Sequence, residues 1–120
     1  MTTLEVANKI VANCSGGEFS ENYKNFYADD VVAYEPENNA FQLERELKGH
    51  KKIVARANAF HALIEKLLSR TVSEPLVAGE YFTFRLCQEF ELKNIGYFKL
   101  DELCVLRVKD GKVVQEEYFY

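Results

Sequence analysis

From Tyr81 to the C-terminus the chain alternates apolar and polar residues, the two-residue spacing of half-buried strands. Segments Tyr81–Leu92, Tyr97–Lys109 and Val113–Tyr120 read as strands, with Lys93-Asn94-Ile95-Gly96 and Asp110-Gly111 as hairpin turns. A further strand, Thr71–Ala78, precedes them and ends at Gly79-Glu80. Upstream the period changes to that of helices. Leu4, Ala7, Ile10, Val11 and Cys14 form one stripe, capped by Thr3 and stopped by Gly16-Gly17. Ser20 opens a short second helix that buries Tyr23, Phe26 and Tyr27 and ends at Asp29-Asp30. A strand from Val31 to Glu35 follows, closed by Pro36, and Glu37 to Lys48 is a polar, aperiodic loop. Gly49 leads into a third helix striped by Ile53, Ala57, Phe60, Ile64 and Leu67 or Leu68. Helices first and a meander after predict an α+β fold, a single domain over residues 1–120. Its three N-terminal helices are expected on the concave face of a strongly curved, mainly antiparallel sheet.

Three glutamates break this alternation. One face of Tyr97–Lys109 reads Phe98, Leu100, Glu102, Cys104, Leu106, Val108, apolar except at Glu102. The last strand places Glu116 between Val114 and Tyr118, with Tyr120 beyond, and Glu35 ends the first strand. A carboxylate on a core face loses its hydration, so it must be paired, protonated or facing a wet cavity. The pattern therefore predicts a sheet wrapped around a polar-lined pocket. A three-residue turn, Lys109-Asp110-Gly111 with Gly111 left-handed, sets Val108 opposite Lys112, Cys104 beside Glu116 and Glu102 beside Tyr118. Both glutamates then share a face. Pairing Leu92 with Phe98 would set Gln88 opposite Glu102.

Composition narrows the function classes. A formal net charge of -4, with no basic cluster beyond Lys51-Lys52, argues against a nucleic-acid surface. Cys14, Cys87 and Cys104 are odd in number and match no zinc or disulfide spacing, so reduced thiols in a cytoplasmic protein are expected. The N-terminal residues carry no secretory pattern, and no apolar run reaches the roughly 18 residues of a membrane span. No Ser/His/Asp set, glycine-rich phosphate loop or His/Cys metal spacing is present. Neither metal nor cofactor is implied.

Each candidate residue has two readings. Glu35 is either a base at the pocket mouth or an exposed strand-end glutamate. Glu102 is either a protonated donor or a structural carboxylate holding Tyr118 or Gln88, and Glu116 is read the same way. Tyr34 and Tyr118 either offer hydroxyls to a ligand or simply pack. His61 sits at the edge of the third helix stripe, beside Phe60, as a ligand contact or a boundary residue. Arg85 reads as a surface or dimer-contact residue.

Three stretches resemble the SnoaL-like branch of the nuclear-transport-factor-2-like superfamily, which includes ketosteroid isomerase and scytalone dehydratase. They are Phe26–Pro36 (FYADDVVAYEP), Leu47–Ile53 (LKGHKKI) and Val105–Tyr120 (VLRVKDGKVVQEEYFY). The likeness implies a cone or half-barrel and a homodimer through the outer sheet face. In ketosteroid isomerase the general base is an aspartate directly before a proline at the end of the first strand, where this chain has Glu35-Pro36. That isomerase, a worked example of pKa tuning, also uses a tyrosine and a protonated carboxylic acid as an oxyanion hole. Glu102 is near the place of the acid, but Thr2 to Asn13 holds no tyrosine. The resemblance thus implies a pocket for a small, partly apolar molecule and, if the protein is an enzyme, cofactor-free isomerase, cyclase or dehydratase chemistry with Glu35 and Glu102 as catalytic groups. Tyr34, Gln88, Glu116, Tyr118, Phe60 and His61 are the candidate ligand contacts. The competing expectation is a non-catalytic homodimeric binding or interaction module.

Overall fold

Thr2 caps the first helix, one residue earlier than expected. Its hydroxyl accepts the Glu5 N–H at 3.1 Å and the Glu5 carboxylate accepts the Thr2 N–H at 3.1 Å. The computed structural model describes residues 1–120, beginning with this helix, α1 (Thr3–Ser15), and a second, α2 (Phe19–Phe26). Strands β1 (Tyr27–Tyr34) and β2 (Glu46–Lys48) precede α3 (His50–Leu63). Five strands complete the chain: β3 (Ile64–Val72), β4 (Leu76–Ala78), β5 (Tyr81–Leu92), β6 (Gly96–Lys109) and β7 (Lys112–Phe119). No helix is long and apolar enough to cross a membrane.

One sheet holds all seven strands, in the order β2-β1-β7-β6-β5-β3 with β4 also on β5. The pair β1–β7 is parallel and the rest are antiparallel, so the sheet is mixed. The expected strongly curved cone or half-barrel is overturned: β2 and β3 are the two ends of an open sheet and do not pair. Apolar alternation specifies which face of a sheet is buried but carries no information on how far the sheet bends.

The buried face is the one the alternation marks. Phe82, Phe84, Leu86, Gln88, Phe90 and Leu92 of β5 are buried, as are Glu102, Cys104, Leu106 and Val108 of β6. Against them pack Val6, Ala7, Ile10 and Cys14 of α1 and Ile53 of α3. Leu4, expected in the α1 stripe, is 53% exposed, and Val6 takes the buried place.

Several boundaries and two registers differ from expectation. The second helix ends at Phe26 and β1 begins at Tyr27, and Glu46–Lys48 of the expected loop pairs with β1. The expected strand Thr71–Ala78 is divided between β3 and β4. The third helix stops at Leu63, and Ile64–Val72 pairs with β5, which leaves Leu67 and Leu68 on a strand and partly exposed. No Gly or Pro marks this change, and pairing with β5 outweighs the helical period. The β7 hairpin closes through a two-residue turn, Asp110 (φ +52°) and Gly111 (φ +74°), with Val108 opposite Val113. The bulge falls just beyond, between Arg107 and Val108, and sets Leu106 opposite Glu116 and Cys104 opposite Tyr118. The extra residue restores parity, so Glu102 and Glu116 share the buried face although the turn type differs. On β5–β6, Leu92 pairs with Gly96, so Leu86 rather than Gln88 lies opposite Glu102.

Candidate functional site

A cavity of about 150 Å³ lies between the helices and the buried sheet face. Its walls are mostly apolar: Phe19 from α2, Phe41 from the loop after β1, Phe60 from α3, and Phe84, Leu86, Leu100 and Leu106 from the sheet. Glu35, Arg56, Gln88, Glu102, Tyr118 and Tyr120 supply polar groups to the same walls.

Glu35 is held where β1 ends. Its N–H donates to the Arg45 carbonyl at 2.8 Å and its own carbonyl accepts Arg45 Nη1 at 3.0 Å, so the strand end is fixed by main-chain bonds. The side chain turns inward and is buried. Tyr120 Oη donates to Glu35 Oε2 at 2.8 Å, and Arg56 Nη2 lies 3.4 Å from Oε1. Burial raises the affinity of this carboxyl for a proton, while the Tyr120 hydroxyl and the Arg56 charge oppose that rise.

Glu102 has far less support. Its one hydrogen-bond partner is the Cys104 thiol at 3.8 Å. Desolvation, followed by the charges of Glu35 and Glu116, pushes its pKa up to about 8, so it carries a proton at neutral pH. It is a neutral carboxylic acid, able to donate.

Glu116 is 1% exposed and sits behind the cavity wall rather than on it. The Tyr27 hydroxyl donates to its Oε2, but Oε1 has no hydrogen-bond partner and the nearest cation, Arg56 Nη2, is 4.0 Å away. Burial raises its pKa against the pull of the Tyr118 and Tyr27 hydroxyls and of Arg56. One guanidinium therefore serves two buried carboxyls.

The remaining candidates divide. Gln88 is buried on the wall and accepts Arg70 Nε at 2.8 Å. Arg70 also lies over the Phe19 ring, 5.1 Å from its centroid. His61 lies at the exposed edge, its ring 5.6 Å from Phe19 and its pKa lowered by desolvation and by Arg70. Phe60 and Tyr118 face the cavity. Tyr34 does not: it projects from the opposite side of β1 to the buried Ala33 and Glu35, and the Arg45 guanidinium covers its ring at 5.1 Å. Strand alternation separates Tyr34 from Glu35, so the two never face one pocket.

Arg56 is the site residue that strand patterning leaves unread. It lies three residues after Ile53 and four before Phe60, on the buried side of α3. A charge on an apolar helix stripe is the same signal that marks the glutamates on the strands. No group of three or more His, Cys, Asp or Glu side chains is placed to hold a metal ion.

Comparison with known proteins bears on the family and the fold. A family model described as a SnoaL-like domain matches residues 1–120. No curated protein matches the chain. Among solved structures, a candidate SnoaL-like polyketide cyclase from Mesorhizobium loti is 22% identical, with a TM-score of 0.90 and 100% of both chains covered. A protein of unknown function with a cystatin-like fold from Xanthomonas campestris is 19% identical, with a TM-score of 0.80, covering 99% of this chain and 90% of its own. A candidate SnoaL-like polyketide cyclase from Jannaschia sp. CCS1 is 11% identical, with a TM-score of 0.75, covering 98% and 83%. At these identities the likeness establishes the fold.

Proposed function

The chain belongs to the SnoaL-like domain family, and from that premise we propose that it binds a small, partly apolar molecule and moves a proton on it without a cofactor. Glu35 is the base. It removes a proton from the carbon beside a carbonyl, the C–H electron pair forms the C=C bond of the enolate as the C=O π pair moves onto oxygen, and the Glu102 O–H donates to that oxygen. Delivery of a solvent-derived hydron from Glu35 to the same carbon gives exchange, and delivery to a conjugated carbon gives isomerisation. Arg56 and Tyr120 oppose the rise that burial gives the Glu35 carboxyl, favouring its ionised form, and aim it. The observation that carries this reading is the pairing of unlike carboxyls on one cavity, Glu35 with an arginine and a tyrosine hydroxyl and Glu102 with only a distant thiol. Environments that drive two titratable groups apart are how acid and base roles are divided.

The test is exchange of α-protons from small ketones in deuterium oxide. Glu35→Gln is expected to abolish it, and Glu102→Leu to slow it at least tenfold. Exchange no faster than in buffer with the unsubstituted protein would remove the proposal. The three free cysteines support a reducing, cytoplasmic setting. A second reading, a non-catalytic homodimeric module working through the outer sheet face, draws on Leu103 and Phe119. They are register partners on that face, each 49% exposed.

A further inference from the structure

The size and charge of the cavity narrow the class of ligand. An apolar cavity of ~150 Å³ holds a single benzene ring, and the interior of this one, which is open to solvent on one side, has about that volume. Aromatic contacts limit its extension. Phe41 packs against Phe60 at 5.5 Å and Phe98 at 5.0 Å, and Phe60 meets Phe90 at 5.6 Å. On the other side Phe19 lies 5.6 Å from His61. A second fused ring would have to part these side chains.

Charge acts as a second filter. The cations near the cavity are both engaged: Arg56 lies between Glu35 and Glu116, and Arg70 donates to Gln88 while covering Phe19. A ligand carboxylate would meet Glu35 and Glu102 on the walls and no free guanidinium. A ligand ammonium would find the Glu35 carboxylate already engaged by Arg56 and Tyr120, with the Arg56 charge beside it repelling a second cation. A carbonyl oxygen requires one donor, and the Glu102 carboxyl, held only by a thiol at 3.8 Å, is a donor left without a strong acceptor.

Resting on the reading above, we infer that the site takes a neutral, single-ring carbonyl compound and excludes both fused-ring compounds and carboxylates. The probes are cyclohexanone, 2-decalone, cyclohexanecarboxylate and cyclohexylammonium, titrated at pH 7 into the full chain and followed by amide chemical shifts. Cyclohexanone is expected to shift Phe60, Gln88 and Leu100 and to bind at least tenfold more tightly than the other three. Phe41→Ala, a change on a surface loop, is expected to reduce its advantage over 2-decalone to threefold or less. Equal or tighter binding of 2-decalone, the carboxylate or the ammonium would overturn the inference, as would no binding of cyclohexanone in the millimolar range. Failure of the proton-transfer reading looks different. Selective binding of cyclohexanone without α-proton exchange would sink that reading and leave the ligand class standing. Equal exchange of 2-decalone would do the reverse.

Discussion

Glu102→Gln is expected to stabilise this protein at neutral pH, the opposite of the usual effect of changing a buried residue. The unfolded chain ionises this carboxyl near its ordinary value of 4.5, whereas the folded chain holds the proton up to about 8. Between those values the folded state binds the extra proton, so stability falls as pH rises through the window and levels off above it. Each pH unit inside the window costs about 1.4 kcal/mol, so at pH 7 the accumulated cost is about 3 kcal/mol. Glutamine has the shape of the neutral acid and no ionised form in the unfolded chain, which removes that cost. Urea denaturation of both proteins at pH 5, 6, 7 and 8 reads the difference directly, since every other titrating group is shared. The variant's advantage is expected to be about 1 kcal/mol or less at pH 5 and to grow to several kcal/mol at pH 8. A difference that does not change with pH, or a variant less stable than the parent at pH 7, would refute the reasoning.

Three further outcomes are expected. Arg56→Met leaves Glu35 and Glu116 without their shared cation and is expected to cost about 3 kcal/mol at pH 7. Both folded carboxyls then bind protons more tightly still, so the loss should shrink toward pH 4.5, and thermal melts at the two pH values check this. Asn39→Ala removes the bonds that tie the loop carrying Phe41, including Leu43 N–H to Asn39 Oδ1 at 2.8 Å. It should cost about 1–2 kcal/mol by denaturation and speed hydrogen exchange at Leu43, and unchanged exchange there would count against the tie. Leu103→Lys on the outer sheet face should shift a dimer toward monomer in sedimentation, with the fold kept by circular dichroism. An unchanged mass would argue against that face as the interface.

The strands and the glutamates were legible for one reason: β5 and β6 are buried on one side only, so each polar break in the alternation stands out. Arg56 was equally marked, on a helix stripe where its long side chain also reads as a boundary residue. The end of α3 was hidden because Ile64 and Leu67 continue a helical spacing that pairing with β5 then overrides. The hairpin at Asp110-Gly111 shows how a correct face can follow from the wrong turn. The extra residue expected inside the turn lies instead in β7, where Val114 is left unpaired between Val113 and Gln115, and parity came out the same. The bend of the sheet left no trace in the pattern, which is why the expected cone failed. Tyr34 was set beside the pocket although its neighbour Glu35 already claimed the inward face.

The account stands on two unlike carboxyls on one cavity, a neutral Glu102 and a Glu35 whose charge Arg56 and Tyr120 favour. Carbon-detected NMR of the glutamate side-chain carboxyls, titrated from pH 3 to pH 9 in the unsubstituted protein, reads both groups at once. Glu102 should hold its proton through pH 7 and titrate at about 8, with Glu35 ionising at lower pH. A Glu102 carboxyl that titrates at its ordinary value of 4.5 would contradict the account.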